Sequence, residues 1–529
     1  MANKGGYLSV LAPIETTPTI KQDHITSNAD LQDRISQLPD DILLAILDGL
    51  NVRDAARTSL LSKRWRPLPT MISHLTIDVS DFDPKSMSSF SDDELGRINA
   101  TVVKATKSIL ACRKSNEHTI SLLSMRFYLR DDDCISFGHT VGHVMATQKV
   151  EMIEFTILTE KDDNQCIDDD FIVYGRRFAL FFSYCPNTFG GLTGLQLENL
   201  RFGEPEIIDV LNTCKRLNYL RLYNCSSGIS TFLEVEHLQL SELSIINCRF
   251  GIIKLSSLPK LTRMIFGGWI AFQDPLSFGH VPLLESVTLT NVGLSWHNAV
   301  KLSEFLSNIS IRDLTLDFNS EKVWDHLCEI ETDDERRKAY SYSENKNADW
   351  NASASDFKNH SLSTVVNLVD LPEGYDPSWT MFFLEAAPSL RELYVAVWDH
   401  LCEIETDDER RKAYSYSENK NADWNASASD FKNHSLSTLV MFGFQSNDEN
   451  LIRYIRLVMD AAVNLEDIFL YKRMACEKCK GKNPRPLRYP STKKQRQALR
   501  NRIALGTHSL ATIHFPTVLR ANHYAKLLY

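Results

Sequence analysis

At 529 residues the chain is too long for one compact core, so two or more domains are expected. Apolar residues at 43% and charged residues at 24% are ordinary for a soluble globular protein, and a net charge of -10 argues against a general nucleic-acid binder. The 11 cysteines have no paired framework, which suits reduced thiols in cytoplasm or nucleus, and no apolar run reaches the roughly 18 residues of a membrane span. Near the start, Lys4 precedes only a short, proline-interrupted apolar run from Tyr7 to Ile14, a poor secretory signal. Residues 1–30 are otherwise polar and aperiodic and read as a flexible leader.

Residues 31–74 hold the densest signal. Pro39 suits the first turn of a helix, with Asp40 and Asp41 at its positive end. Ile42, Leu43, Ile46, Leu47 and Leu50 then recur at helical spacing. Asn51 with Asp54 opens a second helix whose packing face is Ala55, Ala56 and Leu60. Ser62 is placed to cap a third, carrying Trp65 and stopped by Pro67. Three such helices have more apolar side chain than so small a core can cover, and no Cys or His between Leu38 and Trp65 offers a staple. Each exposed Leu or Ile forgoes roughly 1.5–3 kcal/mol of burial. Periodicity alone leaves open whether the cover is another protein or the rest of the same chain.

Asp33-Arg34-Ile35, Leu38-Pro39-Asp40, Ile42-Leu43, Ile46-Leu47, Leu50, Val52, Ala55-Ala56, Thr58-Ser59, Leu61-Ser62 and Arg64-Trp65 resemble the F-box of plant proteins. The resemblance implies docking onto a Skp1-like adaptor, and through it onto cullin and RING subunits of a ubiquitin ligase. It also implies that Leu38, Pro39, Ile42, Leu43, Ile46, Leu47, Leu50 and Trp65 carry or support that interface.

Residues 75–190 read as an irregular opening to the next domain: a strand at Leu75–Val79, a helix at Glu94–Cys112, strands at Thr119–Leu129 and Val150–Leu158. Asp131–Asp133 and Asp168–Asp170 lack the spacing and glycine of a calcium loop and read as solvated loops. Over 191–322 a repeat appears. Leu192-x-x-Leu195-x-Leu197 recurs at Leu217, Leu240, Leu261, Leu284 and Ile311, in steps of 21 to 27 residues, the range of leucine-rich repeats. Asn224, Asn247 and Asn291 fall where such units turn. Each unit, a strand with a helix or loop return, buries its apolar face only by stacking, which predicts a curved solenoid. Outward positions Gln196, Arg221, Ser244, Ile265, Thr288 and Thr315 would line its concave face and touch a target.

Residues 323–366 and 397–440 are two copies of one polar segment, differing only at Val365 against Leu439, with a repeat strand in 367–396 between them. Near-identity through polar positions is more than packing requires, so it reads as a recent duplication or a faulty gene model. Both copies begin just after a strand and lead into another, as long excursions on one face. In 441–529 strand–helix units resume, with an amphipathic helix over Leu451–Ala462, a strand at Leu465–Leu470, and a basic helix from Ser491 to Arg502. Ser389–Leu393 and Asn464–Ile468, with the helix between, resemble the FBD-type region of plant F-box/LRR proteins.

Chemistry is sparse. Cys476-x-x-Cys479 has no second close Cys/His pair for zinc. Ten Lys/Arg and no acid lie between Lys478 and Arg502, but with Tyr489 the only aromatic among them. No nucleotide loop, catalytic triad signature or RING spacing is found, so no catalytic residue, metal or cofactor is expected. The fold class is α/β: a three-helix F-box, a leucine-rich-repeat solenoid and FBD-like C-terminal units. The function implied is that of a non-catalytic substrate adaptor in cytoplasm or nucleus, with an unknown target protein, no membrane and no nucleic acid. The alternative is a nuclear regulator that binds nucleic acid or chromatin through the basic helix at Lys493, Lys494 and Arg496.

Overall fold

The computed structural model describes residues 37–82, 92–111, 119–203, 206–267, 276–290, 309–317, 364–371, 377–397, 431–472 and 489–518, with Ile35, Arg113, Leu362, Arg520 and His523. The first helix, α1 (Asp40–Asp48), starts directly after Pro39 and buries Leu43 and Leu47. Helix α2 (Val52–Thr58) is capped by the Asn51 side chain, which accepts the Asp54 N–H at 2.8 Å. The expected third helix does not form. Residues 59–67 are turns, Ser62 Oγ is buried without a hydrogen bond among the described residues, and a single 3-10 turn comes next at Leu68–Thr70. Pro67 leaves too few residues after Ser62 to repay helix nucleation. Arg64 instead crosslinks the unit, donating to the Leu38 carbonyl at 2.6 Å and pairing with Asp40 at 2.9 Å.

Strand β1 (His74–Asp78) comes at once, then α3 (Asp92–Ala111), β2 (Ile120–Tyr128), α4 (Asp131–Thr147), β3 (Val150–Leu158), α5 (Asp168–Tyr184), α6 (Pro186–Gly191) and β4 (Gly194–Glu198). So 75–190, read as irregular, is regular strand–helix structure in the same sheet as the repeats. The two Asp triplets, read as loops, begin α4 and α5. Unpaired N–H groups at a helix start favour carboxylates. Asp170 accepts the Ile167 N–H at 3.0 Å and Lys161 at 2.7 Å, and these hold its carboxyl below the usual range.

The chain continues with α7 (Glu206–Thr213), β5 (Tyr219–Tyr223), β6 (Ser226–Glu236), β7 (Glu242–Ile246), β8 (Arg249–Ser257), β9 (Arg263–Gly267), β10 (Leu276–His280), β11 (Ser286–Thr290) and β12 (Asp313–Asp317). After these come β13 (Val365–Leu371), α8 (Met381–Ala386), β14 (Glu392–Val397), β15 (Thr438–Phe442), α9 (Glu449–Ala461), β16 (Asp467–Leu470), α10 (Lys493–Ala504) and β17 (Thr512–His514). Among the described residues, fourteen strands form one parallel sheet in the order β1-β2-β3-β4-β5-β7-β9-β11-β12-β13-β14-β15-β16-β17. Each Leu-x-x-Leu-x-Leu unit lands on one of them, its apolar residues buried. Among the described residues, three consecutive units return through β6, β8 and β10, a second parallel sheet, where the repeat pattern had suggested helix or loop. The β6 segment, with Ile229, Thr231, Phe232 and Val235, has strand composition.

Alternate residues of every strand share one core with the helices. Its densest part packs Phe127, Phe137 and Phe155 against Phe181 and Phe189, with ring centroids 4.5–6.3 Å apart. The core runs on without a break into Leu43, Leu47, Val52 and Trp65. The N-terminal helical unit is therefore seated on the first strand, with Arg53 reaching the Asp81 carbonyl and Arg113 the Ile72 carbonyl.

The duplicated segments enter the sheet by their ends. The first ends in β13, the second begins at the close of β14 and ends in β15. Residues 318–361 and 398–430, which hold most of each copy, lie outside the described residues. The equivalent residues Val365 and Leu439 face opposite ways: Val365 pairs with Glu392 on the open face, whereas Leu439 pairs with the core residue Leu393. A one-residue slip inverts every side chain, so the residues just after each copy set the register. Leu368 must be inside after the first copy and Met441 after the second.

One buried histidine gives this fold a pH response. His237 donates Nε2–H to the Cys214 carbonyl at 3.0 Å, while its Nδ1 accepts N–H groups from Gln239 and Leu240 at 3.2 and 3.0 Å. Burial lowers its pKa from 6.5, because the cation would leave two N–H donors facing a third. A depressed folded-state pKa means stability is complete above pH 6.5 and declines as pH falls below it. We expect urea midpoints to drop from pH 7 to pH 5.5 in the native chain, and a smaller drop in His237→Gln.

Candidate functional site

Two surfaces stand out. The first is the outer side of α1. Ile42 and Ile46, four residues apart on the helix, and Leu50, just past its end, form the exposed stripe, at 45%, 41% and 42%. Leu38 is half-buried and Pro39 exposed beside it. Leu43, Leu47 and Trp65 turn inward, with 0–4% exposure. These three, grouped at sequence level with the interface, are core residues that fix the stripe and cannot themselves touch a partner. Leu60 and Leu61, at 84% and 69%, are bare, so Leu60 is no packing residue. Ile35, at 57%, adds to the exposed apolar side chains. Only the turn that replaces the third helix exposes the pair at 60–61, and helical periodicity carried no sign of it.

The second surface is the sheet face opposite the helices. Parallel pairing puts Gln196, Arg221, Ser244, Ile265, Thr288 and Thr315 in one row across β4, β5, β7, β9, β11 and β12. The sequence therefore identified one contiguous line. Contact is another matter: Ser244, Thr288 and Thr315 are 3%, 8% and 7% exposed. Short side chains on strands about 4.8 Å apart sink beneath longer neighbours, so these three are lining residues without reach. Gln196 and Arg221 remain half-exposed.

Beyond Thr315 the row continues through Asn367, Tyr394, Val440, Phe469 and His514. Here the face turns aromatic. Val365, Tyr394, Ala396, Val440, Phe442, Phe469 and Tyr471 make a second apolar cluster, separate from the main core. Phe442 stacks on Tyr471 at 4.8 Å and Phe469 on His514 at 4.6 Å. Carboxylates edge it. Glu392 accepts from Tyr394 Oη at 2.9 Å, and Asp467 holds His514 Nε2 at 2.6 Å. Burial, then the Glu392 charge, pushes the Tyr394 phenol far above its ordinary pKa, leaving it a neutral donor. Sequence reading missed this cluster. Its only sign was an aromatic at the outward position of successive strands.

The basic helix α10 begins one residue later than expected, capped by Thr492 with Gln495. Arg496 donates to the Pro490 carbonyl at 3.1 Å, Arg500 to Ile513 at 2.9 Å, and Arg502 to Ser446 at 3.1 Å while pairing with Glu449. Three of its five cations thus hold the C-terminal units together, leaving Lys493 and Lys494 exposed. Cys476, Cys479 and the first part of the basic run, and likewise Asn291, lie outside the described residues. Among those described, no helix is long and apolar enough to cross a membrane.

Residues 35–71 match the F-box domain family, and they span the exposed stripe, the Arg64 crosslink and the buried Trp65. These residues are an F-box domain. The chain is similar to Arabidopsis thaliana F-box/FBD/LRR-repeat proteins, among them one 49% identical over 74 residues, 14% of this chain and 18% of that one. Another is 50% identical over 64 residues, 12% and 13% of the two chains. An F-box/LRR-repeat protein of the same plant is 25% identical over 300 residues, 53% of this chain and 59% of its own length. The chain thus spans less than two thirds of these curated relatives. Those names agree with an F-box domain joined to Leu-rich strand units in this chain.

Proposed function

We propose that this chain is the substrate-receiving adaptor of a Skp1–cullin–F-box ubiquitin ligase. The Ile42, Ile46 and Leu50 stripe docks onto a Skp1-type subunit, and the open sheet face holds the target protein. The observation that carries this reading is the partition of α1. Its inward residues are sealed into the chain's own core, while three large aliphatics on one stripe stay more than 40% exposed. Leaving them wet forgoes several kcal/mol, which a partner's apolar surface recovers.

In this role the chain contributes no reacting group. It raises the effective concentration of target lysines near a ubiquitin-loaded partner, and the seating of the F-box unit on β1 favours a fixed span between the two surfaces. The test is co-purification of the full chain with a Skp1-type protein, then capture of a cullin. A monodisperse complex is expected; a chain that stays free at micromolar concentrations of both proteins would end the reading.

A further inference from the structure

The aromatic end of the open face is already occupied. His523 is 4% exposed, its Nδ1 2.8 Å from Tyr471 Oη, and its ring lies 4.7 Å from Phe469, 5.8 Å from Tyr471 and 6.0 Å from Tyr394. The Arg520 guanidinium sits 4.4 Å above the Phe469 ring, and the Arg520 backbone also bonds Tyr471. An arginine and an imidazole from the end of the chain thus reach back over β14 to β16 and fill the aromatic floor on this face.

We propose that this floor, formed by Tyr394, Phe442, Phe469 and Tyr471, is the target-binding site, that it takes a basic peptide presenting arginine and histidine three residues apart, and that Arg520 and His523 occupy it as an internal stand-in. Three features of the site select that chemistry. Flat aromatic faces attract a guanidinium through their ring quadrupoles, the more strongly as water is excluded. The Tyr471 hydroxyl can donate or accept, which suits the ring nitrogen of an imidazole. Glu392 and Asp467 edge the floor with negative charge, which steers cations inward. The other half of the face mixes Arg126 and Arg221 with Glu154, Glu198 and Glu242, and its Ser244, Thr288 and Thr315 are buried, so it offers a basic peptide a mixed charge and less reach.

A tethered segment competes as though present at millimolar concentration, so a target must outbind it or meet a chain whose tail is released. This substrate class deepens the adaptor reading, but capture of the peptide depends only on the floor. The experiment uses the full chain and a labelled peptide with the sequence of residues 516–529. Fluorescence anisotropy should show saturable binding to the Arg520→Ala/His523→Ala chain at least ten-fold tighter than to the native chain. Adding Phe469→Ala, or replacing both peptide positions by Ala, should abolish it. No saturable binding to the double variant, or equal binding of the Ala peptide, overturns the proposal.

A second measurement needs no variant. Hydrogen exchange over residues 516–523 of the native chain should accelerate several-fold with excess unlabelled peptide, and an unchanged rate overturns the proposal as well. Capture of the Skp1-type protein, run on the same preparations, separates the two readings. Its loss with peptide exchange intact defeats the adaptor role alone, and the converse defeats the floor alone.

Discussion

Ile46→Asp is expected to weaken capture of a Skp1-type protein by about thirty-fold or more, while the chain melts as the native protein does. Ile46 sits mid-stripe at 41% exposure, so a carboxylate there keeps its water in the free chain and costs within about 0.5 kcal/mol. In the complex the same carboxylate would be stripped of water against an apolar surface, a loss of about 2 kcal/mol or more for a residue near the centre of an interface. Leu47→Asp is expected to abolish capture for another reason. Leu47 is 1% exposed beside Leu43, and a charge placed there unfolds the helical unit. Circular dichroism melts separate the two variants, and the pairing matters. If Ile46→Asp binds normally while Leu47→Asp does not, the stripe is not the docking surface and the partner reads some other part of a folded unit. Ile42→Ala with Leu50→Ala, which shortens the stripe without charge, should weaken capture less than Ile46→Asp does.

Why the sequence could not separate Ile46 from Leu47 is a matter of geometry. Positions 42, 43, 46, 47 and 50 cover more than one side of a helix, and periodicity reports an apolar arc without saying which edge of it the chain covers. The answer depended on where β1 and Trp65 fall in space. The repeat strands were legible for the opposite reason: a buried pair two residues apart, returning every 21 to 27 residues, admits few arrangements other than strands laid side by side. β1, β2 and β3 were legible singly, yet without the Leu-x-x-Leu-x-Leu spacing nothing joined them to the same sheet. The aromatic floor was least legible. Tyr394, Phe469 and Tyr471 each look like ordinary strand formers, and only the parallel register puts them side by side for His523.

The turn after each strand allows a sharper test, because the same backbone conformation is met by different residues. Asn199, Asn224 and Asn247, each directly after its strand, have φ of +56°, +50° and +54°, and Gly443 after β15 has +74°. The asparagines tolerate the left-handed region and put their side chains to use: Asn199 donates to Thr159 Oγ1 and Asn224 to Asn199 Oδ1, both at 2.6 Å. Gly443 has no such freedom to be replaced. A Cβ there would lie 2.1 Å from the Val397 carbonyl oxygen, an atom of the neighbouring strand β14 that cannot rotate away. Gly443→Ala therefore carries both the left-handed penalty, about 1–2 kcal/mol, and a backbone collision. A loss of at least about 3 kcal/mol is expected, confined at first to β14 through β17. Asn224→Gly keeps the conformation and gives up one exchangeable hydrogen bond, about 1 kcal/mol. Urea unfolding gives the magnitudes and hydrogen exchange the location. If Gly443→Ala shifts the midpoint no more than Asn224→Gly does, the close approach to Val397 is not what fixes glycine at the end of this strand.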